Sequence, residues 1–197
     1  MRKKSHISLA RYIVSDLGNM EIGLLEHKKA FYLGSILPDC KPSFLTTKHE
    51  IEGTFDKFCE DLEKLFVKYN IFNDFNARAF YRDLGQLIHY LADYFTFPHN
   101  KIYEGSLKDH CAYEKQLKLT LKEYLESDSI EMNVADTKNV RSLEELTEYI
   151  KRIHNQYLKV KHTVEEDCRY IVNICHQFVQ TVINLFFVEM NFRPVMA

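Results

Sequence analysis

The sequence predicts an all-α protein, a single-domain bundle of several helices, on three observations. Apolar residues recur at helical spacing along most of the 197-residue chain, as on the buried faces of packed helices. The chain contains only 6 Gly and 4 Pro, which is little material for the turns of a many-stranded fold. It also lacks the Asn-Gly and Asp-Gly pairs that form tight β-hairpins. A chain of this length can build its own core, so residues 1–197 are predicted to be one domain.

The predicted helices follow one another with short irregular connections. In chain order they are a first helix marked by Ile7, Ala10, Ile13 and Val14, residues 50–69, residues 76–94, a helix capped by Ser106 that ends near Leu125, and two helices opened by the capping boxes at Ser142 and Thr163. Loops are expected at residues 33–47, which contain two prolines, and at residues 127–140, which are polar without periodicity. The whole bundle is expected to have about six or seven helices.

Residues 171–190 are rich in Ile, Val, Leu and Phe and therefore need a comparison with a membrane span. Polar residues interrupt this segment along one helical stripe, namely Asn173, His176, Gln177, Gln180 and Asn184. Inserting that stripe into hydrocarbon would cost several kcal/mol. We expect a helix buried in the bundle with one polar edge, and no transmembrane segment.

Charge and cysteine content argue against several classes of protein. The formal net charge of -2 provides no basic surface for long nucleic acid. The 5 Cys are odd in number and show no CxxC spacing, which favours reduced thiols over a disulfide framework. The first residues are basic but lack the long apolar run of a signal peptide. A cytoplasmic location is therefore expected.

Histidines and carboxylates repeat at helical spacing between residues 89 and 114. His89 and Asp93 are four residues apart, as are His110 and Glu114, and His99 lies between the two pairs. Residues four apart lie on the same face of a helix, so each pair presents an imidazole beside a carboxylate, a ligand mix that zinc accepts. Two such pairs and a further histidine exceed the needs of one structural ion. The pattern predicts a catalytic site with more than one zinc ion.

Three more ligand-type residues complete an ordered set: His6 near the N-terminus, and Asp39 and His49 on a loop that contains proline. With them, the chain resembles the zinc-dependent phospholipase C family, whose fold is shared with zinc-dependent single-strand nucleases. The resemblance rests on the early His, the loop Asp and His, an H-x3-D-x5-H motif and an H-x3-E motif, and it covers residues 1–114 closely. It implies an all-α bundle that holds a metal cluster of three zinc ions in a cleft.

The resemblance also implies a place for each ligand. One ion would be surrounded by Asp39, His49, His89 and Asp93. A second ion would be held by His99, His110 and Glu114. A third would be bridged by Asp93 and completed by His6 and the amine and carbonyl of Met1. Asp39 would also be the catalytic general base, and the expected cofactor is two or three Zn²⁺ ions.

These features predict a zinc-dependent hydrolase of phosphate esters, phospholipase C-like, in which metal-activated water attacks phosphorus. The substrate would be a phospholipid or another phosphodiester, and Cys40 and Thr46 stand where the family has aromatic residues that cage choline. A nuclease or nucleotide phosphodiesterase on the same scaffold, and a non-catalytic zinc-binding domain, stay open as alternatives. The basic residues Arg2, Lys3 and Lys4 fit either a solvated terminus or a transient contact with a membrane surface.

Several residues near the motifs, or of the same type, lie outside the ligand pattern. We expect His27, His154 and His162 to be solvated, and His176 to be either an edge histidine or a core histidine with a hydrogen-bond partner. Asp83 and Glu104 are candidates for orienting the ligating imidazoles through hydrogen bonds.

Overall fold

Eight α-helices, and no β-strand, form the parts of the chain that the structure describes. The structure is a computed structural model that describes residues 1–40, 50–70, 75–127, 130, 137 and 139–192. The helices are α1 (Lys3–Leu17), α2 (Ile22–Glu26), α3 (Lys28–Gly34), α4 (Ile51–Asn70), α5 (Ala77–Tyr94), α6 (Leu107–Leu125), α7 (Leu143–Tyr157) and α8 (Val164–Phe192). Short 3-10 turns lie at Pro38–Cys40 and Phe97–His99. The prediction of an all-α, single-domain bundle is confirmed.

The predicted helices and the observed ones differ mainly between residues 20 and 40. Helices α2 and α3 are absent from the prediction because 5 and 7 residues are too few to display a periodic apolar face. Helix α3 includes Leu33 and Gly34, so the loop predicted from residue 33 was placed two residues too early. Residues 41–47 of that loop, and most of the predicted loop at residues 127–140, lie outside the described residues.

Helix α5 lies at the centre of the bundle and packs against α3, α4 and α8. Its predicted apolar face is buried, as helical spacing requires: Phe80, Leu84, Leu87, Ile88 and Leu91. Against α3 the two backbones approach unusually closely, through Gly34 and Gly85. A Cβ at Gly85 would lie 2.3 Å from the carbonyl oxygen of Phe31, and one at Gly34 would lie 2.0 Å from that of Arg82. Only glycine permits this approach, which places the end of α3 against the middle of α5.

Helix α1 packs against α3 and α6 and carries the N-terminus to the interior of the bundle. Its buried side includes Leu9, Ala10, Ile13 and Val14. The guanidinium of Arg2 donates a hydrogen bond to the carbonyl oxygen of Cys111 on α6, at 2.9 Å. This contact fixes the first residues of the chain beside the first turns of α6.

The predicted helix starts are confirmed by the observed caps. Ser106 forms a full capping box with Asp109 at the start of α6. The Ser142 hydroxyl accepts a hydrogen bond from the N–H of Glu145, whose carboxylate accepts from the N–H of Arg141 rather than from that of Ser142. Thr163 likewise caps α8. These caps fix where α6, α7 and α8 begin.

Helix α8 is long and apolar enough to cross a membrane by length and composition alone, over Val164–Val188. In the bundle, 67% of its most apolar window is buried against other helices. Burial of this extent is typical of a core helix, as predicted for residues 171–190.

Candidate metal centre

The candidate ligands converge from the first third of the chain and from residues 89–114. They lie at the start of the chain and on α1, on the Pro38–Cys40 turn, at the end of α5, on the Phe97–His99 turn and at the start of α6. The described candidates are Met1, His6, Asp39, His89, Asp93, His99, His110 and Glu114. The remaining candidate, His49, lies outside the described residues.

One group of ligand atoms, here called the inner group, belongs to His6, Asp39 and His89. These atoms all lie within 4.8 Å of one another. His89 Nε2 is 3.6 Å from Asp39 Oδ1, and the rings of His6 and His89 stack with their centroids 4.0 Å apart. The family resemblance implies a site that joins His6 to Met1, whereas the fold places His6 beside Asp39 and His89 as well.

A second group, here called the outer group, belongs to His99, His110 and Glu114, and its ligand atoms also lie within 4.8 Å of one another. Glu114 Oε1 is 3.3 Å from His99 Nε2 and 3.4 Å from His110 Nε2. Burial raises the pKa of Glu114, but hydrogen bonds from His110 and His99 outweigh burial and hold this pKa far below its usual value. The structure therefore brings together the three residues that the sequence analysis assigned to one ion.

Asp93 lies between the two groups and is only 1% exposed. Its Oδ1 is 2.5 Å from the Met1 amine and 3.4 Å from His6 Nε2. Its Oδ2 is 3.4 Å from His89 Nε2 and 3.8 Å from His99 Nδ1. Burial raises the pKa of Asp93, but the Met1 ammonium and these histidines outweigh burial and hold it well below its usual range. A carboxylate that faces both groups has the position of a bridging ligand.

The Met1 amine is buried in the same centre. It lies 3.2 Å from Glu114 Oε1 and 3.2 Å from His99 Nε2, besides its contact with Asp93. Burial lowers the pKa of this amine, but the carboxylates of Asp93 and Glu114 outweigh burial and raise it. An ammonium between the buried carboxylate of Asp93 and the half-buried carboxylate of Glu114 shows that the centre favours positive charge. The amine must lose its proton before its lone pair can bind a metal.

The imidazole of His89 is oriented by the backbone. Its Nδ1 is 2.9 Å from the carbonyl oxygen of Ser35, at the end of α3. A carbonyl only accepts, so Nδ1 donates, and the Nε2 lone pair faces Asp39 and Asp93. The close approach of α3 and α5 at Gly34 and Gly85 provides this contact. No side-chain pattern could reveal it, since the acceptor is a main-chain atom.

Neither carboxylate proposed to orient an imidazole does so. Asp83 accepts hydrogen bonds from Tyr69 at 2.7 Å and from Arg82 at 2.8 Å instead. Glu104 is exposed. Neither candidate is confirmed, since the partner of His89 Nδ1 is the carbonyl oxygen of Ser35, the residue that follows α3.

The residues present fit zinc by their own chemistry. His6 is 1% exposed, and no described residue offers its Nε2 a hydrogen bond. A buried nitrogen of this kind normally has a partner, and a metal ion beside Asp39, His89 and Asp93 would provide one. The donor set of imidazoles, carboxylates and one amine, without thiolates, suits Zn²⁺.

A comparison with protein families matches residues 5–164 to the family described as zinc dependent phospholipase C. The chain belongs to this family. The matched residues contain every candidate ligand except Met1, which precedes them. Neither the curated proteins nor the solved structures provide a match. Membership supports a zinc-dependent, phospholipase C-like hydrolase at the level of the family.

Two polar residues behind the centre of this phospholipase C family member escaped the sequence analysis. His154 was expected to be solvated, but it is 3% exposed, and its Nε2 lies 2.9 Å from Asn100 Oδ1. Asp167, which belongs to no motif, is completely buried. His27 and His162 are half-buried rather than solvated, and His162 stacks on Phe97 at a centroid distance of 4.2 Å. These four residues contact partners that are distant in sequence, so the local spacing of residues could not predict their burial.

Proposed function

We propose that this protein hydrolyses a phosphodiester with release of an alcohol, using two or three zinc ions held by the inner group, the outer group, Asp93, the Met1 amine and His49. The observation that carries this proposal is the position of Asp93, whose two oxygens face both ligand groups at 3.4–3.8 Å from three histidines. A purely structural zinc site needs four ligands around one ion. The set here is larger, as a catalytic centre with adjacent ions requires.

Asp39, Ser35 and Asp93 have different roles in the proposed reaction. Zinc ions bound here supply Lewis acidity that activates water and stabilises negative charge on phosphate oxygens. Asp39 accepts the proton of the attacking water while the water oxygen forms a bond to phosphorus. The ester P–O bond breaks, and the leaving alkoxide takes up a proton to depart as the alcohol. Ser35 holds His89 in the tautomer that presents Nε2 to the centre. Asp93 keeps the inner and outer groups in one cluster.

Exposure indicates the side from which substrate enters. The side chains of the outer group are partly open, at 13% for His99, 16% for Glu114 and 28% for His110. His89 and His6 are closed, at 0% and 1%. A phosphodiester therefore approaches from the His110 side, with the inner group behind it. The centre has enough ligands for more than one zinc ion, and its outer group is exposed enough to admit a substrate.

The proposed substrate class is a phospholipid or another phosphodiester of modest size. Family membership supports a lipid substrate, and the formal net charge of -2 argues against long nucleic acid. Cys40 is exposed beside Asp39, where the family resemblance expects an aromatic residue of a choline cage. The headgroup is therefore proposed to differ from choline. The cytoplasmic location stays a prediction.

Hydrolysis of two chromogenic diesters tests this function. Purified protein should contain two or three zinc equivalents and hydrolyse p-nitrophenylphosphocholine or bis-p-nitrophenyl phosphate, with loss of activity on adding a chelator and recovery with zinc. The surface variant Asp61→Asn, which removes only an exposed pairing with Lys57 and Lys64, serves as the matched control with unchanged activity. Turnover of bis-p-nitrophenyl phosphate alone would fit both a headgroup other than choline and the nuclease or nucleotide phosphodiesterase alternative, and release of diacylglycerol from a phospholipid would distinguish the two. Zinc binding without turnover of either diester would favour a non-catalytic zinc-binding domain.

A further inference from the structure

Asp167 lies in the first turn of α8 and joins three other parts of the fold through its carboxylate. Its Oδ2 accepts a hydrogen bond from the N–H of Phe97 at 2.7 Å and another from the hydroxyl of Tyr113 at 2.9 Å. Its Oδ1 accepts from the hydroxyl of Tyr157 at 2.7 Å. The side chain is completely buried. One carboxylate thus connects the Phe97–His99 turn, α6 and α7.

Two of these three donors are next to candidate ligands of the outer group. Phe97 begins the 3-10 turn that ends at His99. Tyr113 immediately precedes Glu114 on α6. Because both donors bind the same oxygen of Asp167, the turn and the helix are held at a fixed separation. The distance between His99 and Glu114 depends on that separation.

The other side of the same turn is held by His154 on α7. His154 Nε2 lies 2.9 Å from Asn100 Oδ1, and the Asn100 amide donates to the carbonyl oxygens of Tyr94 and Thr96 at 3.2 and 3.0 Å. The segment that contains His99 is therefore fixed before and after the ligand by buried polar contacts. Both contacts come from the C-terminal helices.

Burying the Asp167 carboxylate costs free energy, which the hydrogen bonds that it accepts must offset. Among the described residues, no Lys, Arg or His forms an ion pair with Asp167, and burial raises its pKa to about 7 against the three donated hydrogen bonds and the Met1 ammonium. An apolar side chain of similar size would avoid this penalty. The carboxylate is the group that can accept from all three elements at once.

We propose that Asp167 is a positioning residue for the metal centre, which holds His99 and Glu114 at the separation that a shared zinc ion requires. This inference rests on the proposed function, because it concerns zinc binding by the outer group. The family match ends at residue 164, so family membership assigns no role to Asp167. The C-terminal helix thereby becomes part of the catalytic architecture, although it supplies none of the candidate ligands.

Zinc affinity and the spectrum of the Co²⁺-substituted full-length protein test this inference. Asp167→Leu, which removes both acceptor oxygens from a side chain of similar size, should weaken zinc binding at one class of site by about 10- to 100-fold, the usual effect of losing a residue that orients ligands. Its Co²⁺ d–d bands should change while far-ultraviolet circular dichroism keeps the same helical signal. Competition with a chromophoric chelator gives the affinities.

Two tyrosine variants separate positioning from general stability. Tyr113→Phe and Tyr157→Phe each remove one hydroxyl from the same carboxylate, but only α6, which contains Tyr113, also provides ligands. Tyr113→Phe should therefore weaken zinc binding and change the Co²⁺ bands more than Tyr157→Phe does. Tyr149→Phe, which removes a buried hydrogen bond to Gln177 between α7 and α8, is the control for loss of stability without loss of zinc.

The outcomes distinguish this inference from the proposed function. Wild-type protein that binds no zinc would overturn both. Wild-type protein that binds zinc, with unchanged affinity and Co²⁺ bands in Asp167→Leu, would overturn the positioning role and leave the function standing. Equal zinc loss in Tyr149→Phe would also overturn it, since general destabilisation would then explain the effect. If Asp167→Leu does not fold, unchanged zinc affinity in Tyr113→Phe overturns the inference on its own.

Discussion

The inner and outer ligand groups share Asp93 but are built in opposite ways. The inner group draws His6, Asp39 and His89 from three elements that are distant in sequence, and it is held by close backbone packing of α3 against α5. The outer group draws all its ligands from residues 99–114, and it is held from behind by side chains of the C-terminal helices. One group is closed and the other is partly open to water.

This contrast separates two tasks within one centre. Ligands inside a close-packed region keep their positions because interiors hardly deform. A metal ion held at an open edge can exchange bound water for substrate. Its ligands, however, need additional hydrogen bonds to keep their positions. We therefore expect the inner group to bind metal persistently and the outer group to bind it more weakly, beside the substrate.

The largest effect is expected from Asp93→Ala, which breaks the link between the groups. This change should remove more zinc than any other single substitution, because Asp93 faces ligands on both sides. In metal-free protein it also removes the buried partner of the Met1 ammonium, at a cost of about 3–5 kcal/mol in the free energy of unfolding. Elemental analysis and urea unfolding measure the two effects. Full zinc retention would show that Asp93 does not bridge.

Asp39→Asn should separate binding from catalysis within the inner group. An amide cannot accept the proton of the attacking water, so turnover should fall by about 10²- to 10⁴-fold. Most zinc should stay bound because His6, His89 and Asp93 are unchanged. Steady-state rates on the chromogenic diesters, with zinc content determined on the same samples, provide the measurement. Near-normal activity would remove Asp39 from the role of base.

Gly85→Ala should disturb the inner group through packing alone. The new Cβ would meet the carbonyl oxygen of Phe31 at 2.3 Å, and separation of the helices should cost about 1–3 kcal/mol. The shift should also loosen the contact of Ser35 with His89 and lower zinc affinity at that group. Thermal unfolding and chelator competition test both effects.

Gly53→Ala on α4 is the matched control, since its Cβ would meet nothing within 4 Å. Replacing this helical glycine should stabilise the protein by about 0.5–1 kcal/mol without altering zinc binding. Equal behaviour of the two variants would contradict the importance of the α3–α5 approach.

The smallest expected effect concerns the rate of metal removal. A chelator such as dipicolinate should extract zinc in two phases, the faster one from the outer group, because His110 is its most exposed ligand. His110→Ala should abolish the fast phase and preserve the slow one. Stopped-flow release with a zinc indicator resolves the phases. A single phase in the wild-type protein would mean that the groups do not differ in access.

Local patterns predicted much of the fold and the outer group. The helices at residues 50–69 and 76–94 are long and periodic, and their observed bounds differ by one residue. The spacing of His110 and Glu114 on α6 places them together regardless of tertiary packing. Short helices such as α2 and α3 have no such signal.

The long-range contacts of the metal centre depend on tertiary packing and could not be predicted from local sequence patterns. The position of His6 against His89 follows from how α1 packs, and the contacts of Asp167 with Phe97 and Tyr113 span 70 and 54 residues. These contacts involve a main-chain N–H and a hydroxyl at unspecified positions of the two ligand motifs, where the motif requires no particular residue. Residues that support a metal centre from a distance are therefore visible only in the folded protein.

The exposure of His110 has a practical consequence for anyone who isolates this protein. Specific activity will depend on how each preparation was purified, because a chelating buffer or a nickel-charged resin removes or replaces zinc at the exposed outer group first. Two samples with the same helical signal would then differ in turnover. Titration of every sample back to saturation before assay would restore a common baseline.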